Sequence, residues 1–541
     1  MIIVYNHNFV VFYINIVAYI FTFLFCFCSV KLDFSSILLY TFLEIFQGGV
    51  IMLLYTNKNS DTPLYVQVVN QLKDMIVKGE LSDGTKLPSE RLMANLLGVH
   101  RNTIKRAYHE LRADGYLASV ERLGFVVSYG SDANAATGKN YTLRWSDIIR
   151  DEYVNHRIEE HFSNRLKQNC KYSFSGDMEN LEETGREDIS SLLREIALSD
   201  EKKLYSISHR QGILELRKNI SAFLKSKGIH AKASEIQILS ESFQALDYIT
   251  NMLITEGDSV VLGETACPDT IRVFLSRGAK IVGVDMDENG ILCDHLESLI
   301  QKYAPKLIFV DPDFQNPTGC VMSLERRKQL LDLSYRYNIP IIEEDSASEL
   351  RYEGSHIPSL KALDQHESVI YIHSFYYTIP AGLRLATVVA NKRIINDLST
   401  VIQSRIVCAD MISQRVLSKY LERGLFKKNL EIINKRNSSN LDAICNALEE
   451  SKALGLEIKK PGGGPYLWCK LPPDINMQIL TSNSTACGVS FMPGRMFFVN
   501  DSKGDSFIRF NFMCISENDI LKGISLFNAA FKESFPAPLS L

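Results

Sequence analysis

The sequence predicts two domains, a small α+β domain near the N-terminus and a large α/β domain with a mainly parallel central sheet behind it. Two observations lead to this prediction. The chain has 541 residues, which is too many for one hydrophobic core. Its apolar pattern also changes, from short helical repeats that end in a strand pair before residue 128 to alternating strands and amphipathic helices beyond about residue 172.

The composition narrows the class of protein. Hydrophobic residues make up 46% of the chain and charged residues 23%, which excludes extended disorder and a polytopic membrane protein. The formal net charge is -4, so any basic surface for nucleic acid has to be local. The 11 cysteines show no repeated CxxC or Cys/His spacing. We therefore expect neither a metal site nor a disulfide framework, and scattered thiols are typical of a cytoplasmic protein.

Residues 1–51 form a hydrophobic leader with two interpretations. The stretch from Phe9 to Val30 is almost continuously apolar and has about the length of a membrane-spanning helix, but no Lys or Arg precedes it as in a signal peptide. In the first interpretation the start codon is misplaced, because codons for residues 47–49 (Gln-Gly-Gly) can form a ribosome-binding sequence just upstream of Met52. In the second, the leader is a membrane segment. A chain that starts at Met52 is expected to be cytoplasmic, without membrane contact.

Residues 52–128 have the pattern of a compact helical domain. Apolar residues at helical spacing predict a first helix that ends near Gly79. Ser89 directly precedes a second helical segment, which stops at Gly98, and a serine at that place is a typical N-cap. A third helix is predicted from Arg101 to Asp114, and the strand pair that follows resembles the hairpin of a wing.

The third helix carries its polar residues on one face. Ile104, Ala107, Tyr108 and Leu111 fall on the inner face and leave Arg101, Asn102, Lys105, Arg106 and His109 outside. A short helix, a glycine turn and a second helix with a basic outer face is how a helix-turn-helix presents donors to the major groove of double-stranded DNA. From the spacing alone, a solvated helical bundle whose positive face has no role remains an alternative.

The segment LYVQVVNQLKDMIVKGELSDGTKLPSERLMANLLGVHRNTIKRAYHELRADGYL resembles the DNA-binding domain of GntR-family regulators along its full length. The family pattern matches at Pro88, Ser89, Arg91, Ala94, Val99, Arg101, Thr103, Ala107, Tyr108, Leu111 and Gly115. The resemblance implies a winged helix-turn-helix whose DNA-binding residues are Ser89, Arg91, Arg101, Asn102, Thr103, Lys105, Arg106 and, in the wing, Gly124. Two residues depart from the family: His100 replaces a serine, and Gly124-Phe125 replaces Gly-Thr-Phe.

Residues 129–168 are interpreted as a linker, because they begin with small polar residues (SYGSDANAATGK from residue 128) and continue as a charged stretch. Residues 169–541 contain the short, branched, apolar runs SVVLG, KIVGV, KLIFV, IPIIEED, VIYIHS and ATVVA, which are typical of buried parallel strands. This pattern predicts an α/β domain.

The large domain resembles fold-type I aminotransferases, and in particular the sensor domain of MocR-type regulators, which join that fold to a GntR head. The segments FQNPTGCVMSLERRKQLL, IIEEDSASELRY, HSFYYTIPAGLRLA and SFIRFNF carry the resemblance. In that family a lysine precedes Pro-Gly-Leu-Arg-Leu and holds pyridoxal phosphate. Tyr377 occupies the lysine position here, and a phenol cannot form an imine. The resemblance therefore implies that no residue is catalytic and that any bound pyridoxal phosphate is noncovalent.

Other positions of the implied cofactor pocket are changed or kept. Glu344 replaces the aspartate that meets the pyridine nitrogen, and Ser346 replaces the tyrosine at the ring hydroxyl. Glu241 replaces a small glycine beside the phosphate, where a like charge opposes binding. The remaining family positions are kept: Asn316, Ser374, Arg384 and, where substrates present a carboxylate, Arg509. For Arg384 and Arg509 a structural ion pair is the alternative.

Three functions follow from these observations. The first is a sequence-specific DNA-binding transcription regulator, dimeric like its family, with a non-catalytic sensor domain for an amino-acid or carboxylate effector. The second is a regulator that binds pyridoxal phosphate noncovalently. The third, a working aminotransferase with a DNA-binding head, is disfavoured by the missing lysine.

Overall fold

The computed structural model describes residues 43–47, 50–54, 56, 63–77, 81, 84–120, 124–128, 170–176, 185–199, 207, 209–499, 501–513 and 515–535. The chain divides into two compact units, residues 1–148 and 149–541, and this division falls inside the predicted linker. The apolar stretch from Phe9 to Val30 and residues 129–168 lie outside the described residues. Among the residues that are described, every helix is too short or too polar to serve as a membrane span.

The first unit contains an N-terminal hairpin, three helices and a second hairpin. Its elements are β1 (Leu43–Gln47), β2 (Val50–Leu54), α1 (Leu64–Val77), α2 (Glu90–Leu96), α3 (Arg101–Ala113), β3 (Leu117–Val120) and β4 (Gly124–Val127). Both hairpins are antiparallel. The strand β2 crosses the predicted boundary at Met52, and Leu54 is buried in the same core as α1–α3. The choice of start codon stays a prediction.

Local capping explains where the helices of the first unit begin. The Ser89 hydroxyl accepts the Leu92 N–H at 3.3 Å, as expected of an N-cap. At the start of α3, Nδ1 of His100 accepts the Asn102 N–H at 3.2 Å. The histidine that departs from the family therefore serves as the N-cap of α3. Buried Tyr108 ties α3 to the turn before α2, because its hydroxyl donates to the Pro88 carbonyl at 3.1 Å.

The second unit is built around two sheets. Its strands are β5 (Tyr172–Ser173), β6 (Ile236–Leu239), β7 (Ser259–Gly263), β8 (Lys280–Val284), β9 (Met286–Asp287), β10 (Gly290–Ile291), β11 (Leu307–Val310), β12 (Ile341–Asp345), β13 (Val369–Ser374), β14 (Ala386–Val389), β15 (Glu457–Ile458), β16 (Tyr466–Lys470), β17 (Val489–Ser490), β18 (Met492–Pro493) and β19 (Phe507–Asn511). Its helices are α4 (Arg186–Ser199), α5 (Leu214–Ser226), α6 (Ser242–Leu253), α7 (Pro268–Leu275), α8 (Cys293–Tyr303), α9 (Leu324–Tyr337), α10 (Leu360–Leu363), α11 (Lys392–Gln403), α12 (Met411–Glu422), α13 (Leu425–Ala447), α14 (Glu449–Ala453), α15 (Met477–Ala486) and α16 (Glu517–Glu533).

The larger sheet has seven strands in the order β6-β14-β13-β12-β11-β7-β8. Six of these strands run in one direction, and only β14 runs in the opposite direction, which confirms the prediction of a mainly parallel central sheet. All six predicted apolar runs are strands of this sheet, whereas β6 was not predicted. The strands β11, β12 and β13 are parallel neighbours, so their carboxyl ends lie at one edge, where ligands bind in open α/β sheets.

The smaller sheet, β15-β16-β19-β18, is antiparallel and packs with α13, α15 and α16 on a separate apolar core. That core is rich in phenylalanine: the rings of Phe510 and Phe527 meet edge to face at 5.0 Å. The strand β16 begins with Tyr466, whose side chain belongs to another apolar cluster together with Phe314 and Tyr377. The small sheet thereby supplies one wall of the site described next.

Candidate functional site

The face of α3 that was predicted to meet DNA is open to solvent. Arg101, Asn102, Lys105 and Arg106 are exposed, and Thr103 is partly buried. Arg91 on α2 is exposed as well. On α3 alone, Arg101, Lys105 and Arg106 place three positive charges in the N-terminal half of the helix, and Asn102 adds a carboxamide. Such a face can contact phosphates and base edges without any change in the core.

Two of these arginines are held in place by neighbours. The guanidinium of Arg101 donates to one carboxylate oxygen of Glu90, through Nε at 3.2 Å and Nη2 at 3.1 Å, and its side chain is 64% exposed. The guanidinium of Arg106 stacks on the Tyr65 ring at 3.7 Å and donates to the Tyr65 hydroxyl at 3.0 Å. An exposed ion pair contributes little to stability, so Arg101 can exchange Glu90 for a phosphate or a guanine edge at small cost.

The wing carries the last predicted contact. Gly124 is exposed at the start of β4 with a φ of +90°, a conformation that favours glycine. The next residue, Phe125, points back to α3, where its ring lies 5.2 Å from that of Tyr108. The turn at residues 121–123 lies outside the described residues.

A cavity of about 290 Å³ lies at the carboxyl ends of β11, β12 and β13 in the second unit; we call it the pocket. Six of the seven residues predicted for this site line it: Asn316, Glu344, Ser346, Ser374, Tyr377 and Arg384. They come from β12, β13 and the turns that follow β11, β12 and β13, which parallel strand order brings to one edge.

Tyr377 is a fixed part of the pocket wall. Its side chain is only 8% exposed, and its hydroxyl lies 2.6 Å from that of Tyr466 in a hydrogen bond. The two rings meet edge to face at 6.4 Å, and the ring of Tyr376 lies 5.0 Å from that of Tyr377. The position that the resemblance assigns to an amine therefore carries a phenol engaged with a second phenol.

Glu344 is a buried carboxylate on the floor of the pocket. Its side chain is 8% exposed and is hydrogen-bonded by the hydroxyls of Ser346, at 3.1 Å, and Ser242. Burial raises the pKa of Glu344, and the two hydroxyls oppose that rise.

Glu241 and Arg384 form an ion pair at the side of the pocket. Glu241 is the residue from which α6 begins, and its side chain makes no hydrogen bond to the first turn of that helix. The N-terminus of a helix and an arginine would together attract an anion. Here the Glu241 carboxylate is already paired with Arg384, and it adds a negative charge beside the N-terminus of α6.

Arg509 lies behind the pocket and is absent from its lining. Its side chain is 3% exposed, and Nη1 donates to the Asn316 side-chain oxygen at 2.9 Å. The guanidinium also stacks on the rings of Tyr466, at 3.9 Å, and Phe497, at 4.8 Å. These contacts position Asn316 at the pocket wall; a role for Arg509 in gripping a carboxylate stays a prediction.

Asp311 is a pocket residue that the sequence interpretation missed. It directly follows β11 and accepts the Asn316 N–H at 3.0 Å. Burial, followed by the nearby charge of Glu344, raises the pKa of Asp311 well above its usual range. The signal that could have identified it is a charged residue directly after the apolar run KLIFV. The carboxyl ends of parallel strands lie at one edge of the sheet, where ligands bind.

A second missed cluster lies around Lys227, which follows α5. Its ammonium lies 2.8 Å from Asp345 and 2.6 Å from Glu349, and it also donates to the Ser348 hydroxyl at 2.6 Å. The side chain of Lys227 is 11% exposed, so the cluster is nearly buried. Burial alone would lower the pKa of Lys227, but the two carboxylates outweigh burial and raise it. His373 lies next to both carboxylates.

Asp345, Glu349 and His373 have the composition of a metal site, since their ligand atoms lie within 4.8 Å of one another. The Lys227 ammonium, however, already supplies the positive charge between the carboxylates. The cluster is therefore a structural tie between α5 and strands β12 and β13.

The chain was compared with known protein families and relatives. Residues 175–525 match the aminotransferase class I and II family, and residues 64–127 match the gntR family of bacterial regulatory proteins. The uncharacterized HTH-type transcriptional regulator YdfD of Bacillus subtilis is 28% identical, over 88% of this chain and 98% of its own length. The probable rhizopine catabolism regulatory protein MocR of Rhizobium meliloti is 26% identical, over 88% of this chain and 96% of its own.

Solved structures similar to the chain are aminotransferases. The kynurenine aminotransferase of Pyrococcus horikoshii, in complex with PMP, is 27% identical with a TM-score of 0.67 and covers 73% of this chain and 98% of its own. The α-aminoadipate aminotransferase LysN of Thermus thermophilus, complexed with N-(5'-phosphopyridoxyl)-L-leucine, is 25% identical with a TM-score of 0.67 and covers 72% and 99%. The similarity to these enzymes covers the second unit, and the similarity to the regulators covers both.

Proposed function

Because the chain belongs to the aminotransferase class I and II family over residues 175–525 and carries a gntR-family domain at residues 64–127, we propose that it is a DNA-binding transcription regulator with a non-catalytic sensor domain. The relatives that match both domains are named HTH-type transcriptional regulators and a MocR regulatory protein. In this proposal α3 enters the major groove, and the pocket binds a small effector that alters the affinity of the protein for its operator.

One observation carries the non-catalytic part of the proposal, the buried hydrogen bond between Tyr377 and Tyr466. Aminotransferase chemistry needs a primary amine at that position to hold the cofactor and to move its proton. A phenol supplies neither function. Of the lysines in the described chain, none lines the pocket, so no second amine replaces the missing one.

Pyridoxal phosphate does not fit the pocket well. Its phosphate would have to displace Glu241 from Arg384 and would then lie beside the freed carboxylate. Its ring would lie beside two carboxyl groups, those of Glu344 and Asp311. One carboxylate is enough to hold a protonated ring nitrogen, so the second has no partner on the cofactor. Noncovalent binding of the cofactor remains the second candidate, favoured by Asn316, which lines the pocket, and it is an outcome of the final experiment in the Discussion.

The proposed DNA interface consists of Ser89, Arg91, Arg101, Asn102, Thr103, Lys105, Arg106 and Gly124. Ser89 and Gly124 shape this interface: the Ser89 hydroxyl caps α2, and Gly124 lets the chain enter the wing with a positive φ. We further propose a homodimer, as expected for the aminotransferase fold, so that two heads bind one palindromic operator. A regulator of this kind acts on DNA in the cytoplasm.

The test begins with selection of duplexes from a random library on the full chain, followed by fluorescence anisotropy with a selected duplex and a scrambled one at fixed salt. We expect Arg101→Ala and Lys105→Ala each to weaken binding of the selected duplex by about tenfold. The control Arg393→Ala removes an exposed arginine from α11 in the other unit and should leave affinity unchanged. Equal binding of both duplexes, or unchanged affinity of the α3 variants, would count against the proposal.

A further inference from the structure

The charges around the pocket are unbalanced. Four carboxyl groups line it, those of Glu241, Asp269, Asp311 and Glu344, against a single guanidinium, that of Arg384. Glu241 is paired with Arg384, and Asp269 is paired with Arg272 from the same helix. Asp311 and Glu344 thus remain without a balancing charge, because no Lys or Arg nitrogen of the described chain lies within salt-bridge distance of either.

These two carboxyl groups have only neutral donors. Glu344 is met by the hydroxyls of Ser346 and Ser242, and Asp311 by the backbone N–H of Asn316. Glu344 is buried and Asp311 is partly buried, and a carboxylate removed from water is costly unless it is paired with a positive charge or protonated. Asp311 and Glu344 moreover repel each other, since the charge of one raises the pKa of the other. A cation placed between them would relieve both effects.

An independent observation comes from the small cavity of about 30 Å³ that adjoins the pocket and shares Asp311, Asn316 and Glu344 with it. Thr270 on α7 also lines this cavity; its side chain is fully buried, and its hydroxyl has no hydrogen-bond partner among the described residues. A buried hydroxyl without a partner destabilises the fold. It is available to a polar group of a ligand held at the same carboxylates.

Part of the pocket lining is aromatic. Phe314, Tyr376, Tyr377 and Tyr466 line it, and together with the two carboxylates they surround one space. Aromatic faces attract cations, and the attraction is stronger where water is excluded. The same rings also cover the carbon chain of a ligand. Carboxylates with aromatic rings favour an organic ammonium ion over a strongly hydrated metal ion.

From this arrangement we propose that the effector of the pocket is a small organic amine, bound as an ammonium ion between Asp311 and Glu344 with its carbon chain against Tyr376 and Tyr377. The inference depends on the proposed sensor function and names the chemical class that the sensor recognises. The pocket volume of about 290 Å³ is enough space for a small molecule of this class. Glu241 and Arg384 neutralise each other, so the pocket offers no free cation for a phosphate or a carboxylate.

The test is isothermal titration calorimetry on the full chain with three probes of equal length, 1,4-diaminobutane, 1,4-butanediol and succinate, and with butylamine and magnesium chloride as further titrants. We expect saturable binding of the amines and none of the diol, succinate or Mg²⁺. Glu344→Gln and Asp311→Asn should each weaken amine binding by about tenfold or more, because each removes one ionic hydrogen bond. The control Glu325→Gln removes an exposed carboxylate on α9 and should bind amines as the unchanged protein does.

Binding of succinate, the diol or Mg²⁺ in place of the amines, or no binding of either amine, would overturn the inference. If a pocket variant fails to fold, as judged by its melting curve, the comparison of amine with diol on the unchanged protein still decides. Operator binding is measured in parallel on the same preparations. Intact operator binding without amine binding refutes the amine alone, whereas loss of sequence-specific DNA binding refutes the proposed function.

Discussion

The Tyr377 hydroxyl lies 2.6 Å from the Tyr466 hydroxyl, so a pair of phenols lines the pocket at the position that the resemblance assigns to the cofactor lysine. This pair joins the central sheet to the small sheet, because Tyr377 follows β13 and Tyr466 begins β16. In our proposal this pair replaces the covalent anchor of the cofactor site, and the Glu241–Arg384 ion pair alters its phosphate end. The two changes can be separated by mutation.

Restoring the lysine alone should not restore cofactor binding. In Tyr377→Lys, Glu241 still occupies Arg384 and repels a phosphate, so we expect little gain in affinity for pyridoxal phosphate. Adding Glu241→Gly frees Arg384, and the double variant should bind about tenfold more tightly or better. Absorption titrations of both variants measure this difference. Equal affinities of the two variants would mean that Glu241 does not oppose binding of the phosphate group.

Removing the Lys227 ammonium should destabilise the second unit. Lys227→Met leaves Asp345 and Glu349 buried side by side without a cation, which we expect to cost about 3–5 kcal/mol. Lys218→Met is the matched control, since it changes an exposed lysine on α5, the helix that ends just before Lys227. Chemical denaturation of the full chain, followed by circular dichroism, compares the two. A loss of stability no larger than that of the control would contradict the account of this cluster.

The His100 cap should be replaceable by the residue that the gntR family uses. His100→Ala removes the acceptor for the Asn102 N–H and should destabilise the start of α3 by about 0.5–2 kcal/mol, whereas His100→Ser keeps an acceptor. Hydrogen exchange of peptides that cover α3 measures the local effect. Faster exchange in the alanine variant only is the expected result, and equal exchange in both variants would show that the cap is unimportant.

Amine binding should strengthen as the pH rises. The pKa values of Asp311 and Glu344 are raised in the unliganded protein, so both carboxyl groups keep protons above their usual range. An ammonium ion favours the charged form, and its binding therefore releases protons. As the pH rises above the usual range of carboxyl pKa values, the affinity should rise and should level off once both groups are ionised. Calorimetry in buffers of different ionisation enthalpy detects the released protons.

The pH dependence has its own control. Glu344→Gln removes one of the two groups and should flatten the rise in affinity, while Glu325→Gln on α9 should leave it unchanged. An affinity that falls with pH would mean that the ligand itself, rather than the pocket, supplies the titrating group.

The strands of the central sheet were predictable where their apolar runs were continuous, and β6 shows why one was not. Its sequence IQIL contains Gln237, which interrupts the run. In the fold this side chain is fully buried, donates to the Arg210 carbonyl at 2.8 Å and accepts the Ser399 hydroxyl at 2.8 Å. Both partners are distant from Gln237 in the chain. Hydrogen bonds to them allow this polar side chain to be buried in a strand, and the local sequence does not reveal them.

The residues of the pocket followed from motif positions, but their pairings did not. Six of the predicted residues do line the pocket, because strand order alone brings their motifs together. The partnership of Glu241 with Arg384, and the stacking of Arg509 on Tyr466, depend on side-chain directions that one sequence does not encode locally. Asp311 and Lys227 belong to no motif, and their roles are recognised only from their contacts in the fold.

The most direct test of the central claim, a sensor pocket without covalent cofactor chemistry, is borohydride reduction of the full chain after incubation with pyridoxal phosphate, followed by intact mass measurement and peptide mapping. The Tyr377→Lys/Glu241→Gly variant serves as the positive control, with an adduct expected at position 377. For the unchanged protein we predict no stoichiometric adduct on any lysine, and no saturable spectral change. Saturable binding without an adduct would establish the noncovalent regulator instead, and one adduct per chain on a single lysine would contradict the claim.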